Sequence, residues 1–164
     1  NTVSRAKLDA LSDIIDSAMA EDKKLVIMAR FVPELDDIQE LLEKKKIGYA
    51  VVRGGVKDRD NEIHRFQYDN RCRVFVGQIA AAGLGITLTA ASTMVFLSLD
   101  YSMSNFEQAK ARIHRAGQKE NCHYIYLVCR GTVDRKVLYA LRQKMNLAKM
   151  LVDDYRKGRN PFKN

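Results

Sequence analysis

The chain of 164 residues is long enough for one domain with its own hydrophobic core, and its net charge of +8 favours a polyanionic partner such as nucleic acid. Its three cysteines show no Cys-x-x-Cys spacing, which speaks against a zinc site and favours a reducing, intracellular compartment. No apolar run approaches the roughly 20 residues of a membrane span and no signal peptide begins the chain, so we expect no membrane partner.

The first part of the chain predicts a helix followed by a buried strand. Apolar residues recur at helical spacing over Leu8–Ala18, and because this pattern starts so soon after Asn1 we expect a fragment of a longer protein. The apolar run within Lys24–Ala29 predicts a strand that is buried on both faces, as in a parallel sheet. Phe31 follows this strand, and we expect its ring to fill the core.

Helices and strands continue to alternate along the chain. Pro33 suits the first turn of a second helix, and Arg59–Tyr68 has the pattern of a third. Further strands are predicted at residues 47–52, 73–77, 94–97 and 123–128, and a last helix with a basic outer face from Gly131 to Leu151. This alternation predicts an α/β fold with a mostly parallel central sheet and helices on both of its faces. Residues 153–164 lose the periodicity and are expected to form a frayed basic tail.

An arginine pair occurs in the stretch Gln108–Gln118, Q-A-K-A-R-I-H-R-A-G-Q. Arg112 and Arg115 are three residues apart, so a helix that runs to Gly117 would place both guanidinium groups on one face, with Gln108 on the same stripe. Two adjacent guanidinium groups repel each other unless an anion or water lies between them, and their planar forks suit phosphate oxygens. On spacing alone a solvated basic helix face is the commoner arrangement, and a polyphosphate site is the alternative.

The same stretch resembles the Q-A-x-x-R-x-H-R-x-G-Q signature of Swi/Snf-type ATPases, a branch of the superfamily-two helicases. The matching positions are Gln108, Ala109, Arg112, His114, Arg115, Gly117 and Gln118. Residues 78–89, Q-I-A-A-A-G-L-G-I-T-L-T, resemble the family's motif V, although Gln78 and Ile79 stand where Ser-Thr is usual. The resemblance covers about residues 4–150. It implies the second, C-terminal RecA-like lobe, a three-layer α/β domain that we assign to residues 1–152.

The resemblance also implies a role for individual residues. Arg112 and Arg115 would be the catalytic residues, acting as arginine fingers toward the γ-phosphate of ATP, whose Mg²⁺ is held mainly by a first lobe. Gln108, Gly83 and Gly85 would contact the nucleotide. The positions expected to contact nucleic acid, most of all duplex DNA, are Arg30, Arg53, Lys57, Arg59 and Gln78.

Two motifs that such an ATPase needs are absent from the sequence. It contains neither the G-x-x-x-x-G-K-[ST] phosphate loop nor an acidic box for magnesium, and in the family both lie on the first lobe. We therefore expect an N-terminal RecA-like lobe in the same polypeptide, and we expect this chain alone to be inactive. His114 and Gln118 are expected to have structural roles at the end of the arginine-bearing stretch.

Other functions remain open on the sequence. The intact protein could be a strand-separating helicase on single-stranded DNA or an RNA helicase. A nucleic-acid-binding module without ATPase activity would also explain the basic charge. A dinucleotide-binding oxidoreductase fits poorly, because Gly83-Leu84-Gly85 lacks the third glycine of that fingerprint.

Overall fold

A computed structural model describes residues 5–55, 57–80, 86–98, 103–128 and 151–152 of the chain. The helices within these ranges are α1 (Arg5–Ala20), α2 (Val32–Lys44), α3 (Arg59–Tyr68) and α4 (Met103–Lys110). The strands are β1 (Lys24–Ala29), β2 (Gly48–Val52), β3 (Cys72–Gln78), β4 (Ala91–Phe96), β5 (His123–Val128) and β6 (Leu151–Val152). None of the described helices is both long and apolar enough to cross a bilayer.

The strands form one parallel sheet in the order β2-β3-β1-β4-β5-β6. Central strand β1 pairs on both sides, with Val26 beside Phe75 of β3 and beside Met94 of β4. Each connection between parallel neighbours must return across a face of the sheet, so helices cover both faces. The predicted α/β class and the strands expected at residues 24–29, 47–52, 73–77, 94–97 and 123–128 are confirmed.

The sheet separates two hydrophobic cores, and the alternation of side chains along β1 supplies both. Val26 and Met28 point into the core that Phe66 of α3 completes. Leu25 and Ile27 point into the opposite core, which is filled from α1 and α2 by Leu11, Ile15, Leu35, Ile38 and Leu42. Because both faces of β1 are covered, its apolar run is continuous and does not alternate with polar residues.

Two local predictions are wrong. Phe31 does not fill the core, because it is the N-cap residue of α2 and is 45% exposed. Leu151 does not continue a helix, because it pairs with Leu127 as the first residue of the short strand β6. The rest of the helix predicted over residues 131–150, and the basic tail predicted at 153–164, lie outside the described residues.

Candidate functional site

The arginine pair lies in a turn beyond α4 and not on a helix, so that prediction is wrong. The helix ends at Lys110, and the amide of Arg112 donates to the carbonyl oxygen of Ala109, only three residues back, at 3.1 Å. The carbonyl oxygen of Gln108, which a continuing helix would offer to that amide, accepts instead from Nε of the Arg112 side chain at 2.7 Å. The carbonyl oxygen of Arg112 in turn accepts from the amide of Leu88 at 2.9 Å. The contact to Gln108 takes the place of the next helical hydrogen bond, and the contact from Leu88 fastens the turn to the segment that follows Ile86.

Both guanidinium groups nevertheless point to one place, as the spacing predicted. Nη1 of Arg115 donates to the carbonyl oxygen of Ile86 at 2.9 Å, and Nη1 of Arg112 lies 3.4 Å from the same oxygen. Arg112 is buried, with 8% of its surface exposed, whereas Arg115 is exposed. Gly83 and Gly85, predicted to contact nucleotide, lie outside the described residues, in the segment just before Ile86.

A third cation, Arg59, also acts on Arg112, and we call Arg59, Arg112 and Arg115 the arginine cluster. Burial lowers the pKa of Arg112, and the positive charges of Arg115 and Arg59 lower it further. Arg59 begins α3, whose last turn meets the segment that follows Ile86: Gln67 bonds the hydroxyl of Thr89 at 3.1 Å and the amide of Ala90 at 2.8 Å. Since α3 and this segment both run toward the amino edge of the sheet, Arg59 lies at the Ile86 end. A bound polyanion would offset the positive charge that Arg115 and Arg59 place beside Arg112.

Gln118 fastens the end of the arginine turn to the sheet. Its side-chain amide donates to the carbonyl oxygen of Ala91 at 2.7 Å and to that of Ile113 at 2.9 Å, and lies 3.4 Å from that of Thr89. This agrees with the structural role predicted from the sequence. Gly117, with a positive φ of 96°, makes the tight turn before it. His114 is exposed.

We expect Gln118→Ala to lower the free energy of unfolding by about 1–3 kcal/mol, because two half-buried carbonyl oxygens lose their donor. Gln118→Glu should cost at least as much, since it keeps the shape but replaces the donor by a carboxylate facing carbonyl oxygens. Urea denaturation of the chain monitored by circular dichroism measures both variants. Equal stability of the wild type and both variants would show that the hydrogen bonds from the Gln118 side chain are dispensable for the fold.

The residues predicted to contact nucleic acid divide into two groups. Arg30, Arg53 and Gln78 follow or end the neighbouring strands β1, β2 and β3 and so lie along the carboxyl edge of the sheet. Lys57 is exposed in the loop before α3, whereas Arg59 lies with the arginine pair. Of these five residues, Arg59 is the one whose charge acts on Arg112.

Two of these residues are engaged within the protein. Arg53 donates to Asp36 at 2.7 Å and to the side chain of Gln39 at 2.8 Å. The side-chain oxygen of Gln78 accepts from the amide of Gly54 at 3.0 Å. These contacts fix the loop that follows β2, so a phosphate at this edge would meet side chains that are already ordered.

Sequence reasoning missed a buried polar cluster at the same edge. The hydroxyl of Ser98 donates to Glu34 at 2.6 Å and accepts from the amide of Arg30 at 2.7 Å. Lys7 donates to the carbonyl oxygen of Leu97 at 2.8 Å, and Lys7, Glu34 and Ser98 are all buried. Glu34 follows Pro33 at the capping position of α2, which is a visible local signal. Its partner Ser98, 64 residues away, gives no signal in the sequence.

The parallel sheet with this strand order and the arginine turn beyond its fourth strand define the class of domain, a RecA-like α/β lobe. Residues 6–117 match the model of the family described as "Helicase conserved C-terminal domain". The chain belongs to this family, and the predicted resemblance to the C-terminal lobe of Swi/Snf-type ATPases is confirmed.

Curated relatives of known name match most of the chain. It is 30% identical over 146 residues to "DNA repair and recombination protein RAD54-like" of Drosophila ananassae, covering 87% of this chain and 18% of the relative. It is 33% identical over 150 residues to "SWI/SNF-related matrix-associated actin-dependent regulator of chromatin subfamily A-like protein 1" of Xenopus laevis, covering 90% of this chain and 16% of the relative. The homologous protein of Caenorhabditis elegans is 36% identical over 130 residues, covering 78% of this chain and 19% of that relative. The chain thus spans less than a fifth of the length of these relatives.

A solved structure shows the same fold. The crystal structure of the C-terminal part of the Fun30 ATPase domain superposes with a TM-score of 0.77 at 23% sequence identity. The match covers 82% of this chain and 44% of that one. The predicted RecA-like three-layer architecture is confirmed.

Proposed function

We propose that this chain is the second motor lobe of a DNA-dependent ATPase and translocase of the Swi/Snf type. In this proposal it closes over ATP and Mg²⁺ held mainly by an N-terminal RecA-like lobe of the same polypeptide, inside the cell. The observation that carries the proposal is the convergence of Arg112 and Arg115 on the carbonyl oxygen of Ile86, with the charge of Arg59 nearby. Membership of the helicase C-terminal family supports it.

The two arginines would divide the work. Arg115 is exposed and donates to the carbonyl oxygen of Ile86, so its guanidinium lies at the surface, where a phosphate oxygen can reach it. Arg112 is buried and bonded to two carbonyl oxygens, so it would shape the turn and add positive charge behind Arg115. Gln108, whose carbonyl oxygen anchors Arg112, and the glycines at 83 and 85 would complete the nucleotide-facing surface.

The assignment of Mg²⁺ to the first lobe rests on side-chain chemistry. Magnesium prefers carboxylate and phosphate oxygens in an octahedral arrangement. Among the described residues, no group of three or more His, Cys, Asp or Glu side chains could hold a metal ion. The arginine cluster offers donors and positive charge, which suit the phosphates and not the metal. On this proposal the isolated chain has no ATPase activity, and turnover by it that survives Arg112→Ala would contradict the proposal.

Nucleic acid would bind along the carboxyl edge of the sheet. Arg30, which follows β1, and Lys57, which is exposed in the loop before α3, are the cations that carry most of the proposal. The guanidinium carbon of Arg30 lies 4.8 Å from the centre of the exposed Phe31 ring, so cation and apolar surface face solvent together. Such a combination suits a phosphate backbone and its sugars.

We expect duplex DNA to stimulate ATP hydrolysis by the intact two-lobe protein more than single-stranded DNA or RNA does. Arg30→Ala and Lys57→Ala should raise the DNA concentration needed for half-stimulation and lower the salt dependence of binding by about one counterion each, with maximal turnover little changed. Steady-state hydrolysis titrated with each nucleic acid at several salt concentrations measures this. Lys44→Ala is the matched control, because Lys44 is exposed and pairs with Glu40 on α2.

The alternatives predict different results in the same assay. A strand-separating helicase would be stimulated most by single strands, and an RNA helicase most by RNA. A non-catalytic binding module would bind nucleic acid without any stimulated turnover. If Arg30→Ala and Lys57→Ala behave like Lys44→Ala, the carboxyl edge is not the nucleic-acid surface.

A further inference from the structure

Strand β2 forms one outer edge of the described sheet, and its outward main-chain groups are covered by side chains. The amide of Val51 donates to Oε2 of Glu62 at 2.9 Å. The carbonyl oxygen of Tyr49 accepts from Nη2 of Arg65 at 3.1 Å. Since β3 occupies the other side of β2, these two groups face away from the sheet.

The two covering side chains are also paired with each other. Glu62 and Arg65 are three residues apart on α3, and Nη1 of Arg65 lies 3.0 Å and 3.2 Å from the two carboxylate oxygens. The pair therefore presents one acceptor and one donor to the edge, held in place by its own ion pair. This is the pattern that a neighbouring strand would present.

The edge would be a good template for pairing without this cover. Residues 47–52, I-G-Y-A-V-V, carry no charge and no proline and contain β-branched and aromatic side chains. An open groove of about 510 Å³ runs along the edge, lined by Gln39 and Glu43 of α2 and by Glu62 and Arg65 of α3. An exposed edge of this composition pairs readily with another chain unless something blocks it.

A second copy of β2 would fit the same two positions. If the copies pair antiparallel around a two-fold axis at Ala50, Tyr49 of each copy lies opposite Val51 of the other. The amide of Val51 in one copy would then donate to the carbonyl oxygen of Tyr49 in the other, and these are the two groups that Glu62 and Arg65 occupy. Strand addition and the ion pair are therefore mutually exclusive.

We propose that the Glu62–Arg65 pair closes the free edge of β2 against strand addition by a second copy of this chain. The proposal concerns the fold and does not depend on the proposed ATPase function. It gives a role to Arg65, which bonds both Glu62 and the carbonyl oxygen of Tyr49.

The double variant Glu62→Ala, Arg65→Ala tests this. It should form dimers and larger species with increasing concentration, while the wild type stays monomeric, as measured by light scattering across a dilution series. Adding Val51→Pro to the double variant should restore the monomer, because proline removes the outward amide and an outer strand tolerates it. The matched control is Glu40→Ala, Lys44→Ala, an exposed ion pair at 3.2 Å on α2 that covers no strand, and it should stay monomeric.

Several outcomes would overturn the proposal. A double variant that keeps the wild-type circular dichroism and stays monomeric at every concentration shows that the edge needs no cover. Association that survives Val51→Pro shows that another surface is responsible. If the double variant unfolds, Arg65→Gln and Glu62→Gln decide the question, since each weakens one of the two edge contacts: measurable association supports the proposal, and monomers overturn it.

Discussion

Arg115→Ala is expected to lower ATP turnover by the intact two-lobe protein roughly 10³–10⁵-fold, the range found for arginine fingers in phosphoryl transfer. The physical reason is that the exposed guanidinium of Arg115 lies beside Arg112 at the carbonyl oxygen of Ile86, where its charge can stabilise the charge that develops on the transferring phosphate. The fold should survive, because Arg115 is exposed and its loss leaves the carbonyl oxygen of Ile86 close to Arg112. Steady-state hydrolysis at saturating duplex DNA measures the loss, and binding of a non-hydrolysable ATP analogue should largely persist.

Two comparisons make this result specific. Arg71→Ala removes another exposed arginine, one whose side chain is 92% exposed and paired with Asp69, and should leave turnover unchanged. Arg115→Lys keeps the positive charge but loses the planar fork, and it should restore only a small part of the activity. Normal turnover by Arg115→Ala would mean that the pair is a solvated or DNA-facing patch, even though the fold is right.

Arg112→Ala should behave differently from Arg115→Ala. Its side chain supplies the donor that ends α4 at the carbonyl oxygen of Gln108, and it is buried. Removing it therefore changes the turn as well as the charge, so a loss of activity in that variant alone would not identify a finger. For this reason Arg115 gives the cleaner test of the proposed function.

The strands of the sheet were predictable because strands that are buried on both faces consist of consecutive apolar residues. Both faces of β1 are covered, so its strand shows as an unbroken apolar run, and α3 was predicted with the bounds observed. Local patterns were misleading where a distant group competes with the local one. The helix predicted to carry the arginines ends at Lys110, where Nε of Arg112 occupies the carbonyl oxygen of Gln108. Leu88, 24 residues before Arg112, then binds the carbonyl oxygen of Arg112 and fastens the turn that follows.

The sequence predicted that the two arginines of the candidate site converge, but it did not predict which other residues interact with the site residues. Spacing correctly indicated that Arg112 and Arg115 point to one place, since three residues of a turn bring side chains together much as a helix does. No sequence pattern showed that Arg59 lies with them and that Arg53 pairs with Asp36. Both interactions depend on which strands are neighbours in the sheet, and no single segment of the sequence indicates the strand order.

Glu34→Ala is expected to lower the free energy of unfolding by about 2–4 kcal/mol, because it removes the carboxylate oxygen that accepts from the hydroxyl of Ser98 and from the amide of Phe31. Ser98 is fully buried and Glu34 is 7% exposed, so water can compensate only in part. For a domain of this size the midpoint of thermal unfolding should fall by about 5–15 °C.

Glu34→Gln and Glu40→Ala separate the contributions of shape, charge and helix. Glu34→Gln keeps an oxygen that accepts from Ser98 and from the amide of Phe31, so it should lose clearly less stability than Glu34→Ala. Glu40→Ala removes an exposed carboxylate from the same helix and should change stability by no more than about 0.5 kcal/mol. Urea denaturation with an unchanged slope gives all three values. If Glu34→Ala is no less stable than Glu40→Ala, the buried cluster does not hold α2 to the end of β4. The ordered position of Arg30 at that edge would then need another cause.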